Sequence, residues 1–127
     1  MKSNKLTIRI NKPIQKVFMF TITPPNSTRW INDVISEETN ELPVKEGTVY
    51  TLQTKEGTFS ELTITDIKSN EFVEWISKDK NYHCRYTFKI IDKNISELEY
   101  AEWVAEGQID EPFTLEVLEK LKLVLED

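Results

Sequence analysis

The chain is poor in the residues that most often announce a function: one cysteine, one histidine and three glycines in 127 residues. A lone thiol, Cys84, forms no intrachain disulfide, so nothing calls for an oxidising compartment. One histidine and one cysteine cannot assemble the usual zinc ligand sets. Three scattered glycines make no phosphate-cradling loop, so neither a metal nor a cofactor is implied. With five prolines, Gly plus Pro is too sparse for collagen-like or low-complexity chains. No stretch approaches the ~20 apolar residues that cross a bilayer as a helix. Met1–Ile10 has a basic flank but lacks the apolar run and small-residue cleavage site of a signal peptide. A cytoplasmic protein without membrane insertion is expected. Basic charge is also short, 16 residues against 22 acidic for a net charge of −6, which opposes binding to nucleic acid or an anionic surface.

What is present is enough for one core: 39% hydrophobic residues in a length that suits a single domain over 1–127. Leu6, Ile8 and Ile10 alternate with Thr7 and Arg9, the period of a strand with one buried face. Asn11 is placed to cap a short helix with Pro13 in its first turn and Ile14, Val17 and Phe18 on its inner face. Pro24-Pro25 stop it. Asn26-Ser27 are placed to cap a second short helix running into Trp30, and Val34-Ile35 begin a strand towards Glu38.

Turn residues then recur at Pro43 to Gly47, Lys55-Glu56-Gly57, Lys68-Ser69-Asn70, Lys78 to Asn81 and Asp92-Lys93-Asn94. Between them lie five strands, Val49–Thr54, Phe59–Ile67, Glu71–Ser77, Tyr82–Ile91 and Ser96–Ala105, making seven in an antiparallel meander. The period changes once more at the end. Phe113, Val117, Leu118, Leu121, Val124 and Leu125 share a helical face, predicting a helix from Pro112 to Glu126 of about 22 Å, capped by Asp110.

A strand, two short helices, six hairpin-connected strands and a long terminal helix follow the order of the helix-grip fold. Together with Ile10-Asn11-Lys12-Pro13 leading into Val17-Phe18, Trp30, Gly47-Thr48-Val49-Tyr50 and Phe72-Val73-Glu74-Trp75, this order resembles the START/birch-pollen-allergen-like (SRPBCC) superfamily. The nearest likeness is to its small bacterial polyketide cyclase/dehydrase-like branch. The resemblance implies an α+β fold in which a curved seven-stranded antiparallel sheet grips the C-terminal helix around an internal cavity. It implies a protein that holds an apolar or amphipathic small molecule such as a lipid or polyketide. It also keeps open a cyclase or dehydratase, or a partner-binding module like the activators of the Hsp90 chaperone ATPase. Fold alone does not choose among these.

Alternation assigns sides. Tyr50 and Leu52, Val73 and Trp75, then Tyr82, Cys84, Tyr86, Phe88 and Ile90, and finally Leu98, Tyr100, Glu102 and Val104 point inward. His83, Arg85 and Glu74 point outward, and an outward histidine leaves no serine-histidine-acid triad. Candidate ligand contacts are therefore Trp30 near the mouth, Tyr50, Trp75, Tyr82, Tyr86, Tyr100 and Glu102, in an interior with more hydroxyl and indole groups than a packed core needs. Glu102 is also the candidate catalytic residue: an inward carboxylate could serve as general acid or base, with Tyr82 or Tyr86 stabilising an enolate oxygen. The competing reading is that the strand bulges and Glu102 reaches solvent or pairs with Arg85 or a lysine. Cys84 reads as a small apolar group, and the acidic runs Glu37-Glu38 and Glu97, Glu99 as solvated faces. Trp103, Leu115 and Leu123 lie off the buried faces and together form a candidate homodimer surface.

Overall fold

The computed structural model describes all residues, 1–127. Seven strands, β1 (Ser3–Ile10), β2 (Val34–Thr39), β3 (Val49–Thr54), β4 (Phe59–Lys68), β5 (Phe72–Ser77), β6 (Tyr82–Asp92) and β7 (Ile95–Val104), form one sheet. Its order is β1-β7-β6-β5-β4-β3-β2 and its measured pairings are antiparallel throughout. Two helices complete it, α1 (Ile14–Ile22) and α2 (Leu115–Glu126), with a single 3-10 turn over Asn26–Arg29. The curved seven-stranded α+β helix-grip arrangement expected from the order of elements is what the chain adopts.

The core follows the alternation. Val73 and Trp75, Cys84, Tyr86 and Phe88, and Leu98 and Tyr100 are all buried. From the other layer Val17 and Phe18 of α1 and Leu118 and Leu121 of α2 close on them. Phe18 meets Phe88 edge to face at 5.2 Å between ring centroids. On the opposite side of the sheet Arg85 pairs with Glu74 at 3.0 Å and lies over the Phe72 ring, so both stand outward as their phase requires. His83 stacks on Trp103 there, with centroids 5.1 Å apart.

Several local expectations give way. Asn11 does not cap α1; Pro13 occupies the N-cap position, while the Asn11 backbone N–H donates to Glu126 at the far end of α2. Asn26 lies inside the 3-10 turn, whose N-cap is Pro25. Asp110 does not cap α2, which begins three residues after Pro112, with Thr114 as N-cap. Ile90 is 68% exposed, next to a register shift between Ile90 and Asp92. Of the three off-face apolar residues, Leu115 and Leu123 are exposed on α2 while Trp103 is half-buried against His83.

Leu118 has no exposed surface and joins α2 to the sheet core. Truncating it to alanine removes buried methyl groups and leaves a cavity, a loss of about 2–5 kcal/mol. Leu118→Ala should therefore lower the urea midpoint of unfolding, whereas Leu123→Ala, on the exposed side of the same helix, should leave it nearly unchanged.

Candidate functional site

Between the concave face of the sheet and the segment leading into α2 lies a cavity of about 550 Å³. Half of its 26 lining residues are hydrophobic. Tyr50, Trp75, Tyr82, Tyr86, Tyr100 and Glu102 line it, along with Leu52, Leu62, Cys84 and Phe113. Trp30 does not. It is 1% exposed and packed edge-on against Phe113, with centroids 6.1 Å apart, so it supports the wall from behind rather than standing at the mouth.

Glu102 is buried, as its phase in β7 dictates, with no bulge at that point in the pairing of β7 with β1 or β6. Four donors converge on it. Asn4, directly opposite on β1, and the Phe113 backbone N–H donate to Oε2, both at 2.8 Å. The Tyr82 hydroxyl donates to Oε1 at 2.6 Å, and the Tyr100 hydroxyl lies within reach of the same oxygen at 3.2 Å. The two phenol oxygens are themselves 2.9 Å apart. A carboxylate accepts about four hydrogen bonds, so little acceptor capacity faces the cavity. At the start of α2 the Phe113 carbonyl accepts from Asn4 Nδ2 at 2.9 Å rather than from the Val117 N–H, which donates to Thr114, and the helix begins at Leu115.

A second buried carboxylate escaped the sequence reading. Glu37, expected on a solvated face, is 7% exposed and lines the cavity. It stands opposite Leu52 of β3, whose side chain is inward, and cross-strand partners share a face. A register shift between Val34 and Ser36 explains the error, because it leaves Ile35 on the outside at 52% exposure. The legible signal was the inward phase of Leu52. Ser27 is the hydrogen-bonding partner of Glu37, its backbone N–H donating at 3.3 Å. Burial raises the Glu37 pKa above the ordinary 4.5, with Ser27 offsetting part of the effect.

The remaining polar groups differ in how they are held. The Tyr50 hydroxyl donates to the Ile22 carbonyl at the end of α1, at 2.5 Å, leaving its ring to the cavity. Burial pushes the Tyr50, Tyr82, Tyr86 and Tyr100 phenols and the Cys84 thiol upward, so all stay protonated near neutral pH and Cys84 is no thiolate nucleophile. The indole N–H groups of Trp75 and Trp30 are buried without a hydrogen-bond partner. Trp75 meets Tyr50 at 5.6 Å and Tyr86 at 5.2 Å, both edge to face, so three rings form a corner of the cavity.

No protein-family model matches the sequence, and comparison with curated proteins finds no significant relative. Solved structures are similar over the whole chain. A START superfamily protein from Mycobacterium smegmatis superposes with a TM-score of 0.77 at 12% identity, over 99% of this chain and 98% of that one. The chain has the START-like helix-grip fold. The protein XoxI from Bacillus cereus matches with a TM-score of 0.76 at 15% identity, over 100% and 97% of the two chains. A polyketide-cyclase-like protein from Corynebacterium glutamicum matches at 0.61 and 15%, over 81% of this chain and 65% of that one. At such identities the likeness is one of fold, and a START-like fold hosts a site whose chemistry its own residues decide.

The two carboxylates should respond oppositely to amidation. Glu102→Gln sets an amide N–H against groups that are already donors, a loss of about 1–3 kcal/mol measured by urea denaturation. Glu37→Gln removes a poorly compensated buried charge. A carboxyl whose folded pKa lies above its unfolded value stabilises most below about pH 4.5, and that stability is lost as pH rises towards the folded value. The variant should therefore melt higher than the parent at pH 7, and the difference should shrink as the pH falls to 4.5.

Proposed function

We propose that this chain binds a hydrophobic or amphipathic small molecule in the cavity between its sheet and the segment leading into its C-terminal helix. The observation that carries the reading is the cavity itself: about 550 Å³, walled by tyrosine and tryptophan rings with a few polar groups among them. That volume falls within the roughly 300–1,000 Å³ of small-molecule sites, and the mix of apolar wall and sparse polar groups is the usual one. Tyr50, Trp75, Tyr86 and Tyr100 supply ring surface. Tyr82, held by Glu102, offers an oriented phenol oxygen at the wall. The Tyr86 hydroxyl has no partner within the protein and is free to meet a ligand oxygen.

The cyclase reading gives Glu102 the task of moving a proton. Its four protein donors count against that, since a general base needs an accessible lone pair. In the binding reading Glu102 instead positions Tyr82 and Tyr100. The chaperone-activator reading calls for a filled interior, and the cavity counts against it.

Neutral ligands test the proposal most cleanly. Titrating flavonoids and 1-decanol while following tryptophan emission should give saturable quenching at micromolar ligand, with a smaller amplitude in Trp75→Phe. Absence of saturable binding across the series, with the protein folded by circular dichroism, would overturn the reading.

A further inference from the structure

The walls of the cavity carry charge of one sign. Glu37, Glu61, Asp79, Glu102, Asp110 and Glu111 line it, and no lysine, arginine or histidine does. Of the two buried carboxylates, Glu102 is engaged by four donors, whereas Glu37 is held by one residue, Ser27, through its side chain and its backbone N–H, the latter at 3.3 Å, and keeps acceptor positions open. Around the same part of the cavity stand Tyr50, Trp75 and Tyr86, their rings roughly perpendicular, at 87° for the first pair and 68° for the second. Tyr50 lies on the same face of β3 two residues from Leu52, the cross-strand partner of Glu37, which places the carboxylate next to this corner of rings.

Resting on the binding reading above, we propose that the ligand is a cationic amphiphile, an apolar chain or ring system bearing a protonated amine whose N–H groups bind Glu37 while the Tyr50, Trp75 and Tyr86 rings face the cation. Each part of the site matches one property of such a molecule. Ring faces carry the negative end of the aromatic quadrupole and attract a desolvated cation. A carboxylate with open lone pairs accepts charged N–H donors, the stronger kind of hydrogen bond. A fatty acid of equal length would bring its carboxylate into an interior with no cation to receive it, and a neutral alcohol would leave Glu37 uncompensated. The exposed Asp79, Asp110 and Glu111 at the rim favour the approach of a cation, as does the net charge of −6. Two cations stand outside the lining: Lys78, exposed and paired with Glu61 at 3.8 Å, and the Met1 ammonium, which donates to Gln108 at 2.7 Å.

A charge-matched series separates this inference from the reading beneath it. Decylamine, decyltrimethylammonium, 1-decanol and decanoate are titrated at physiological salt against the native chain, Glu37→Gln and Glu38→Gln. Glu38 is the exposed neighbour, so its variant changes the net charge equally without touching the cavity. The expected result is a decylamine affinity about tenfold above that of 1-decanol, with decanoate weakest and the quaternary ammonium in between, since it keeps the charge but has no N–H. In Glu37→Gln the tenfold preference should collapse while 1-decanol binds as before; in Glu38→Gln it should persist. Equal affinities across the series would overturn the cationic ligand and leave the cavity reading standing. A preference lost equally in both variants would mark surface attraction and overturn it too. No binding by any of the four would remove both.

Discussion

The structure turns on one buried carboxylate. Glu102 lies near the end of β7 and collects hydrogen bonds from Asn4 of β1, Tyr82 of β6, Tyr100 of its own strand and the Phe113 backbone ahead of α2. A charged group in a protein interior is tolerable only when its hydrogen-bonding capacity is met. Meeting it here ties three adjacent strands to the point where the chain leaves the sheet for its last helix. Phe113, once held, stacks on Tyr100 at 4.3 Å between centroids and walls the cavity. The entry of α2, and with it one side of the cavity, is thus set by a hydrogen-bond network as well as by apolar packing.

The far end of α2 is tied down separately. Glu126 accepts the Asn11 backbone N–H, and Lys122 donates to the Arg9 carbonyl, so the last turn is anchored to the end of β1. Between the two anchors Leu118 and Leu121 fill the core. The cavity lies beyond this packed stretch, walled by the sheet and by Ile109, Asp110, Glu111 and Phe113 ahead of the helix.

The contrast between Glu102 and Glu37 gives this space its character. Both are buried in the same cavity, one closely solvated by protein groups and the other held by Ser27 alone. The first belongs to the architecture. The second has fewer protein donors and a pKa raised by burial, so it weakens the fold when charged, and a group of that kind is better explained by a ligand than by stability.

Much of this was legible in the residue pattern, since period-two alternation is a direct consequence of strand geometry. It marked six strands to within a residue and β1 three residues short at its start, put Trp75, Tyr86, Tyr100 and Glu102 inside, and put His83, Arg85 and Glu74 outside. The joint order of elements pointed to the helix-grip fold. What pattern could not supply were the places where a distant partner overrides local preference. Asp110 is a sound capping residue, yet Asn4 and Glu102 claim the backbone at Phe113 and the helix begins later. Glu37 reads as a surface residue until a register shift in β2 turns it inward opposite Leu52. Trp30 carries no phase of its own, and packing against Phe113 and Tyr86 places it behind the wall. The sequence by itself determined the elements and the sides of most strands, because these follow from local covalent geometry. The tertiary structure alone decided which carboxylate is paired and which is left open, because that depends on donors brought together from residues about a hundred positions apart in the chain.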